Sequence, residues 1–236
     1  MTTSGATAAF DDDDSRWWES AFSDDELAIY DRYRRPRVTD FPWQSCAIVV
    51  IDVTMAFLGS KVSTLEACAE VPTACGLPGW QAVDKIARLL AAARSASVQV
   101  IYTNPDWSSE GYLGGATSGA VRELAADATT VPEQIEPQAG DYVLYKPKAS
   151  ALFETSLLPY CVRNGVRGLV LTGGTTSGCV RSTALEASAY GLGVAVVSDG
   201  CFDRSRLSEA VALFEMDAKY ARVVSTDHAI TRLIGA

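Results

Sequence analysis

The amino-acid sequence predicts an α/β fold in three layers: a six-stranded, mainly parallel sheet with helices on both faces, plus an N-terminal helical arm. Short β-branched runs alternate with helical stretches over about 190 residues from Ser45 onward. The strand candidates are unbroken apolar runs, as expected of strands buried on both faces. A chain of 236 residues, 48% of them apolar, can bury roughly 70% of its unfolded surface without disulfide or metal staples.

Taken in order, residues 1–15 read as a solvated tail of small polar residues followed by Asp11–Asp14. Ser23-Asp24-Asp25-Glu26 has the form of a capping box. It opens a helix through about Arg34, which Pro36 ends. Residues 1–44 are thus expected to be a flexible acidic tail and helical arm, and residues 45–236 a single domain. Ala47–Ile51 is the first strand and Trp80–Arg94 a helix with apolar residues at 83, 86, 87, 89, 90 and 93. Val98–Tyr102 is the second strand. The Gly, Ser and Pro content of residues 103–140 implies a long surface excursion, with a helix near Ala120–Asp127. Tyr142–Tyr145 is the third strand, and Thr155–Asn164 a helix with Thr155 as N-cap. Leu169–Thr172, Val194–Ser198 and Arg222–Ser225 are the remaining strands. Helices over Cys179–Tyr190, Arg206–Tyr220 and Asp227–Leu233 follow them in turn.

Charge and cysteine usage narrow the function classes. Residues 1–26 hold eight acids and one Arg, so the tail carries −7 of the net −9. The body is nearly neutral and lacks the basic footprint of a nucleic-acid binder. No apolar run is long enough to span a membrane, and no signal peptide is visible. The six Cys are scattered without metal-binding spacing, so they read as reduced thiols of a cytoplasmic protein. His228 is the single His, which leaves His-based zinc sites and Cys-His catalysis little to work with.

In a parallel sheet the active site lies beyond the carboxyl ends of the strands. The polar residues there are Asp52, Thr103-Asn104, Lys146, Gly173–Cys179 and Asp199–Arg204. Cys179 follows a glycine-rich link between a buried strand and a helix. A Cys in the first turn of a helix faces free N–H groups and the positive end of the dipole. The expectation is therefore a nucleophile with a lowered thiol pKa, its turn supplying N–H groups to an oxyanion. Asp52 interrupts an apolar run, where a buried carboxylate needs a partner. Lys146 and Lys148 both qualify. Carboxylate, ammonium and thiol together make a nucleophile, a base and an electrostatic partner without His. Arg204 is a candidate for gripping a substrate carboxylate, with a salt bridge to Asp203 as its structural alternative. Trp107, Tyr112, Phe57 and Phe153 are candidate pocket walls.

These segments resemble the isochorismatase-like cysteine hydrolase superfamily. The matching stretches are Val49–Phe57, Lys146–Thr155 and Gly173–Thr183. Thr176–Thr183, Asp203-Arg204 and Leu213–Tyr220 point to its N-carbamoylsarcosine, maleamate and ureidoacrylate amidohydrolase branch. The resemblance implies a catalytic triad of Asp52, Lys146 and Cys179, choosing Lys146 over Lys148. It also implies a cis peptide between Gly174 and Thr175, and an oxyanion hole from the N–H groups of Thr175 and Cys179. Arg204, helped by Thr176, would bind a substrate carboxylate. The loop Asp106-Trp107-Ser108 lacks the His of metal-binding relatives, so no metal and no cofactor is expected. The implied activity is a cysteine-dependent amidohydrolase that cleaves a C–N bond of a small amide or N-carbamoyl compound. The implied assembly is a homodimer or homotetramer, and the apolar arm around Trp17, Trp18 and Phe22 also needs a surface to cover. The alternative is a small-molecule binding module of the same fold without turnover, which an intact Asp-Lys-Cys set disfavours.

Overall fold

The computed structural model of the chain describes residues 13–33, 40–106 and 127–235. Among these, six strands form one parallel sheet: β1 (Cys46–Ile51), β2 (Gln99–Pro105), β3 (Tyr142–Lys146), β4 (Gly168–Gly174), β5 (Gly193–Phe202) and β6 (Arg222–Val224). Their order is β3-β2-β1-β4-β5-β6. The chain therefore builds outward from β1 in one direction, then returns and builds outward from β4 in the other. The gap between the carboxyl ends of β1 and β4 is the topological switch point, where open α/β sheets place their ligands.

Every residue of β1 and β4 is buried, as their unbroken apolar runs require. Successive side chains alternate between faces. Ile48 and Val50 join the core beneath α4 (Leu77–Ser95) and α8 (Thr226–Ile234). Ala47, Val49 and Ile51 join the opposite core, beneath α5 (Leu157–Arg163), α6 (Arg181–Ala189) and α7 (Arg206–Lys219). The three layers predicted from the alternation are thus present.

Several boundaries differ from the predicted ones, each for a local reason. β5 runs to Phe202 rather than Ser198. Its register with β4 shifts between Leu171 and Gly173, so that Cys201 pairs with Gly173 and Phe202 with Gly174. Thr172 Oγ1 donates to the Gly200 carbonyl at 2.5 Å within this irregularity. Asp199–Phe202 therefore belong to a bulged strand end and not to a loop. α5 starts two residues late, because Thr155 Oγ1 accepts from Leu157 N at 3.2 Å but donates to Ala151 O. The helix expected from Cys179 begins at Arg181, after a π-helical turn, Thr176–Val180. Two short helices were not foreseen: α2 (Met55–Leu58) and α3 (Thr64–Glu70). The second had a legible signal, the Ser63–Glu66 capping box. The helix expected near Ala120–Asp127 lies almost wholly outside the described residues.

The arm carries α1 (Asp24–Tyr33), opened as expected by Ser23 and Glu26, whose main-chain N–H donates to Ser23 Oγ at 3.4 Å. Ahead of it a 3-10 segment already begins at Asp13 and reaches Ala21, broken at Arg16. This arm lies along α7. Phe22 stacks on Phe214 with ring centroids 3.9 Å apart, and Arg206 covers the Trp17 ring at 3.9 Å. Trp18 is completely buried in the α7-side core. The apolar arm thus finds its covering surface on its own chain.

Replacing a buried Trp by Ala typically costs about 3–5 kcal/mol through lost burial and an unfilled cavity. Trp18→Ala should therefore lower the unfolding free energy by an amount in that range, read as a lower urea midpoint. An unchanged midpoint in urea would show that the arm is not part of the cooperative unit.

Candidate active site

The carboxyl ends of four adjacent strands each bring one polar side chain to the switch point: Lys146 from β3, Thr103 from β2, Asp52 after β1, and Cys179 after β4. Lys146 is the centre. Its Nζ stands 2.7 Å from Asp52 Oδ2 and 3.4 Å from Cys179 Sγ, and donates to the Lys148 carbonyl at 3.1 Å. Both Lys146 and Asp52 are fully buried. A buried ammonium and a buried carboxylate are each costly to desolvate, and such a pair persists only with close geometry and further hydrogen bonds. Thr103 supplies one of these, donating Oγ1 to Asp52 Oδ1 at 2.8 Å. Asp52 adopts φ 50, a left-handed backbone that Asp tolerates better than most residues. Its main-chain N–H also reaches back to Thr103 O at 3.2 Å, extending the β1–β2 ladder past the strand end.

Cys179 sits in the π-helical turn, 9% exposed. Its thiol corrects the expectation of a lowered pKa. Burial pushes it up to about 12, with the nearby Asp52 carboxylate adding to the rise, while Lys146 pulls in the opposite direction. Glycine is required on the approach to this turn. Gly173 has φ 105, and a Cβ there would overlap the Ile51 carbonyl. The Gly174–Thr175 peptide is cis. Thr175 is 6% exposed and is the N-cap of the turn that holds Cys179.

The residues expected to bind substrate are placed less simply. Arg204 follows β5 and is exposed. Its guanidinium donates to Thr73 O at 2.8 Å, while Asp203 accepts the main-chain N–H of Arg204 at 2.7 Å. Thr176 is fully buried, and its Oγ1 donates to Glu209 Oε1 at 3.3 Å. Phe57, on α2, is buried in the α4-side core. Phe153 is 42% exposed. Trp107 and Tyr112 lie outside the described residues. Arg204 and Glu209 border a cavity of about 620 Å³ together with Trp17, Lys85, Asp199 and Arg206, whereas Asp52, Lys146 and Cys179 are not among its lining residues. His228 stands in the first turn of α8, after the edge strand β6. That is the far end of the sheet from Lys146, so it has no part in this cluster.

Three contributors were not assigned from sequence. Thr103 was visible as a polar strand end but gave no hint of its partner. Ser177, whose N–H and Oγ both donate to Asp203, is an ordinary loop residue until the turn is folded. Glu209 reads as an acid in the first turn of a helix, a common surface feature. Among the described residues no group of three or more His, Cys, Asp or Glu is arranged to hold a metal. Among the described residues no helix is long and apolar enough to cross a membrane.

Burial and the neighbouring Asp203 raise the Glu209 carboxyl from 4.5 to about 7, with Thr176 and Arg206 acting the other way. A carboxyl raised on folding favours the native state only while protonated. Between pH 4.5 and 7 the unfolded chain releases the proton first, and stability falls as pH rises. Glu209→Gln cannot ionise. The stability of this variant relative to the parent should increase across that window and level off above it, as followed by urea denaturation at stepped pH. A difference that does not vary with pH would refute the raised carboxyl.

Comparison with known proteins shows which family the chain resembles. The family profile described as "Isochorismatase domain" matches residues 46–228. Maleamate amidohydrolase from Pseudomonas putida is 35% identical over 158 residues, covering 64% of this chain and 74% of that protein. N-carbamoylsarcosine amidase from Arthrobacter is 28% identical over 172 residues, 69% of this chain and 64% of that one. Among solved structures, a cysteine hydrolase from Pseudomonas syringae superposes with a TM-score of 0.71 at 19% identity, covering 85% of this chain and 98% of its own. N-carbamoylsarcosine amidase from Thermoplasma acidophilum does so with 0.59 at 24%, covering 78% and 97%. With the profile spanning both the Asp52 and Cys179 segments on a sheet of this order, the chain belongs to the isochorismatase family.

Proposed function

We propose that the protein is a cysteine-dependent amidohydrolase. It would cleave a C–N bond of a small amide or N-carbamoyl compound bearing a carboxylate, with the domain at residues 45–236 doing the chemistry and residues 1–44 forming an arm on it. The observation that carries this reading is the Lys146 ammonium lodged between the Asp52 carboxylate and the Cys179 sulfur. The names of the relatives supply the reaction class: maleamate amidohydrolase, ureidoacrylate amidohydrolase and N-carbamoylsarcosine amidase.

The scheme follows from the charges. At neutral pH a thiol whose pKa lies near 12 is protonated, so the nucleophile is a resting thiol and not a stored thiolate. Asp52 takes the thiol proton as sulfur attacks the carbonyl carbon. The N–H groups of Thr175 and Cys179 hold the oxyanion. Collapse breaks the C–N bond, and Asp52 returns its proton to the departing ammonia or amine, leaving a thioester on Cys179. Asp52 then takes a proton from water, whose oxygen attacks the thioester, and the acid leaves as the thiol is reprotonated. Lys146 stays charged throughout and stabilises whichever neighbour is anionic. No metal or cofactor takes part in this scheme. Arg204, with Thr176, would bind the substrate carboxylate, and Trp107 and Phe57 would border the pocket. A homodimer or homotetramer in the cytoplasm remains part of the proposal on the strength of the resemblance, with light scattering as its check.

Cys179→Ala should reduce ammonia release by several orders of magnitude, as loss of a sole nucleophile does. The assay is a screen over maleamate, N-carbamoyl amino acids, ureidoacrylate and simple amides, and parental turnover in the variant would end the mechanism. Arg204→Ala should weaken kcat/KM at least about tenfold for an acidic substrate, since a charged hydrogen bond contributes roughly 1.5–3 kcal/mol. An uncharged amide should lose little. Equal losses on both would make Arg204 structural.

A further inference from the structure

The main chain of the turn that carries Cys179 is held by a carboxylate from the end of β5. Asp203 follows β5 directly and is 6% exposed. Its Oδ2 accepts from Ser177 N at 2.8 Å and from Ser177 Oγ at 2.7 Å. Its Oδ1 accepts from Arg204 N at 2.7 Å. Ser177 stands two residues before Cys179, in the middle of the π-helical turn. The strand ends behind these contacts are locked to one another, since Gly173 pairs with Cys201 and Gly174 with Phe202. One buried carboxylate therefore bridges the backbone of the Cys179 turn and the backbone of Arg204. The Arg204 guanidinium does not compete for it, being turned to Thr73 O.

We propose that Asp203 is a positioning residue that sets the Cys179 sulfur and the Arg204 side chain relative to each other. The inference rests on the reading of Cys179 as nucleophile and Arg204 as carboxylate grip. It adds that one group fixes the spacing between the two, and hence the distance from scissile carbonyl to carboxylate in an accepted substrate. The chemistry of the contacts supports this role over simple solvation. An ionised carboxylate can accept from three N–H and O–H donors at once. A carboxylate this buried needs such donors to remain charged. An amide of the same shape keeps one oxygen and presents an NH2 in place of the other, so either the Ser177 N–H or the Arg204 N–H would face a donor. Misplacement of a reacting group by even an ångström is enough to cost a large factor in rate.

Iodoacetate and iodoacetamide test this without knowledge of the substrate. Both can alkylate Cys179 at a rate set by local deprotonation, Asp52 taking the thiol proton as the S–C bond forms and iodide leaves, but only iodoacetate carries an anion for Arg204. Rates of Cys179 alkylation are read by peptide mass spectrometry on the full chain, with a thermal melt beside each. The parent should favour iodoacetate over iodoacetamide. Asp203→Asn should slow both reactions by roughly tenfold or more and abolish the preference. Ser177→Ala removes only one bond to the turn, so it should slow both reagents by about fivefold and leave the preference intact. This second variant decides the matter if Asp203→Asn does not fold, because loss of preference in it, or no change in rate, contradicts the proposal. A parent without preference, or rates and preference unchanged in Asp203→Asn while its melting point falls, would overturn the positioning role alone. Failure of Cys179 to react at all in the parent, together with parental turnover in Cys179→Ala, would overturn the nucleophile reading and this inference with it.

Discussion

The architecture depends on keeping one ammonium charged where water is excluded. Lys146 has no exposed surface, and its charge is compensated by Asp52 at 2.7 Å and by the Lys148 carbonyl. Removing one partner of such a pair is far more damaging than never having built it, because the other charge is left buried alone. That asymmetry explains the precision around the pair. Asp52 accepts the uncommon left-handed backbone, Thr103 turns its hydroxyl inward, and the β1–β2 ladder continues past its strand ends. A neutral thiol at 3.4 Å completes the set without adding a third charge at rest.

The sheet delivers these groups because parallel strands all end on one edge. β3, β2, β1 and β4 are neighbours, so residues spread from 52 to 179 become adjacent with no long side-chain reach. Burial on both faces fixes the register, since slipping a strand by one residue would turn its side chains to the opposite face. The same rule extends to β5, where a bulge shifts the register and carries Asp203 to the back of the nucleophile turn. The cavity bordered by Arg204 and Glu209 lies beyond that bulged end.

Much of this could be read from the residues. The apolar runs marked four strands within two residues at each end, while β2 and β5 run three and four residues further than expected, and an Asp closing such a run marked the first member of the cluster. Lys146 could be separated from Lys148 only by resemblance, because spacing alone does not say which amine turns inward. The β5 end was not legible. Asp199-Gly200-Cys201-Phe202 contains turn-forming residues, and only its pairing with Gly173 and Gly174 makes it strand. The thiol pKa was read in the wrong direction for a similar reason. Helix position and a nearby Lys are local signals, whereas desolvation depends on everything packed around the sulfur, and it outweighs them. The arm showed its capping box plainly, but Trp18 disappearing into the α7-side core is a tertiary fact with no local signature.

The neutral state of Cys179 has a further consequence, in the life of the protein between encounters with substrate. Peroxides and disulfides react with thiolates, and susceptibility follows both thiolate fraction and access. A thiol that is 9% exposed and ionises near pH 12 offers very little of either. The surroundings that make this sulfur hard to ionise therefore also shelter it from oxidative damage. A sulfur kept neutral at rest and deprotonated only when Asp52 takes its proton is thereby less open to oxidation than one stored as a thiolate.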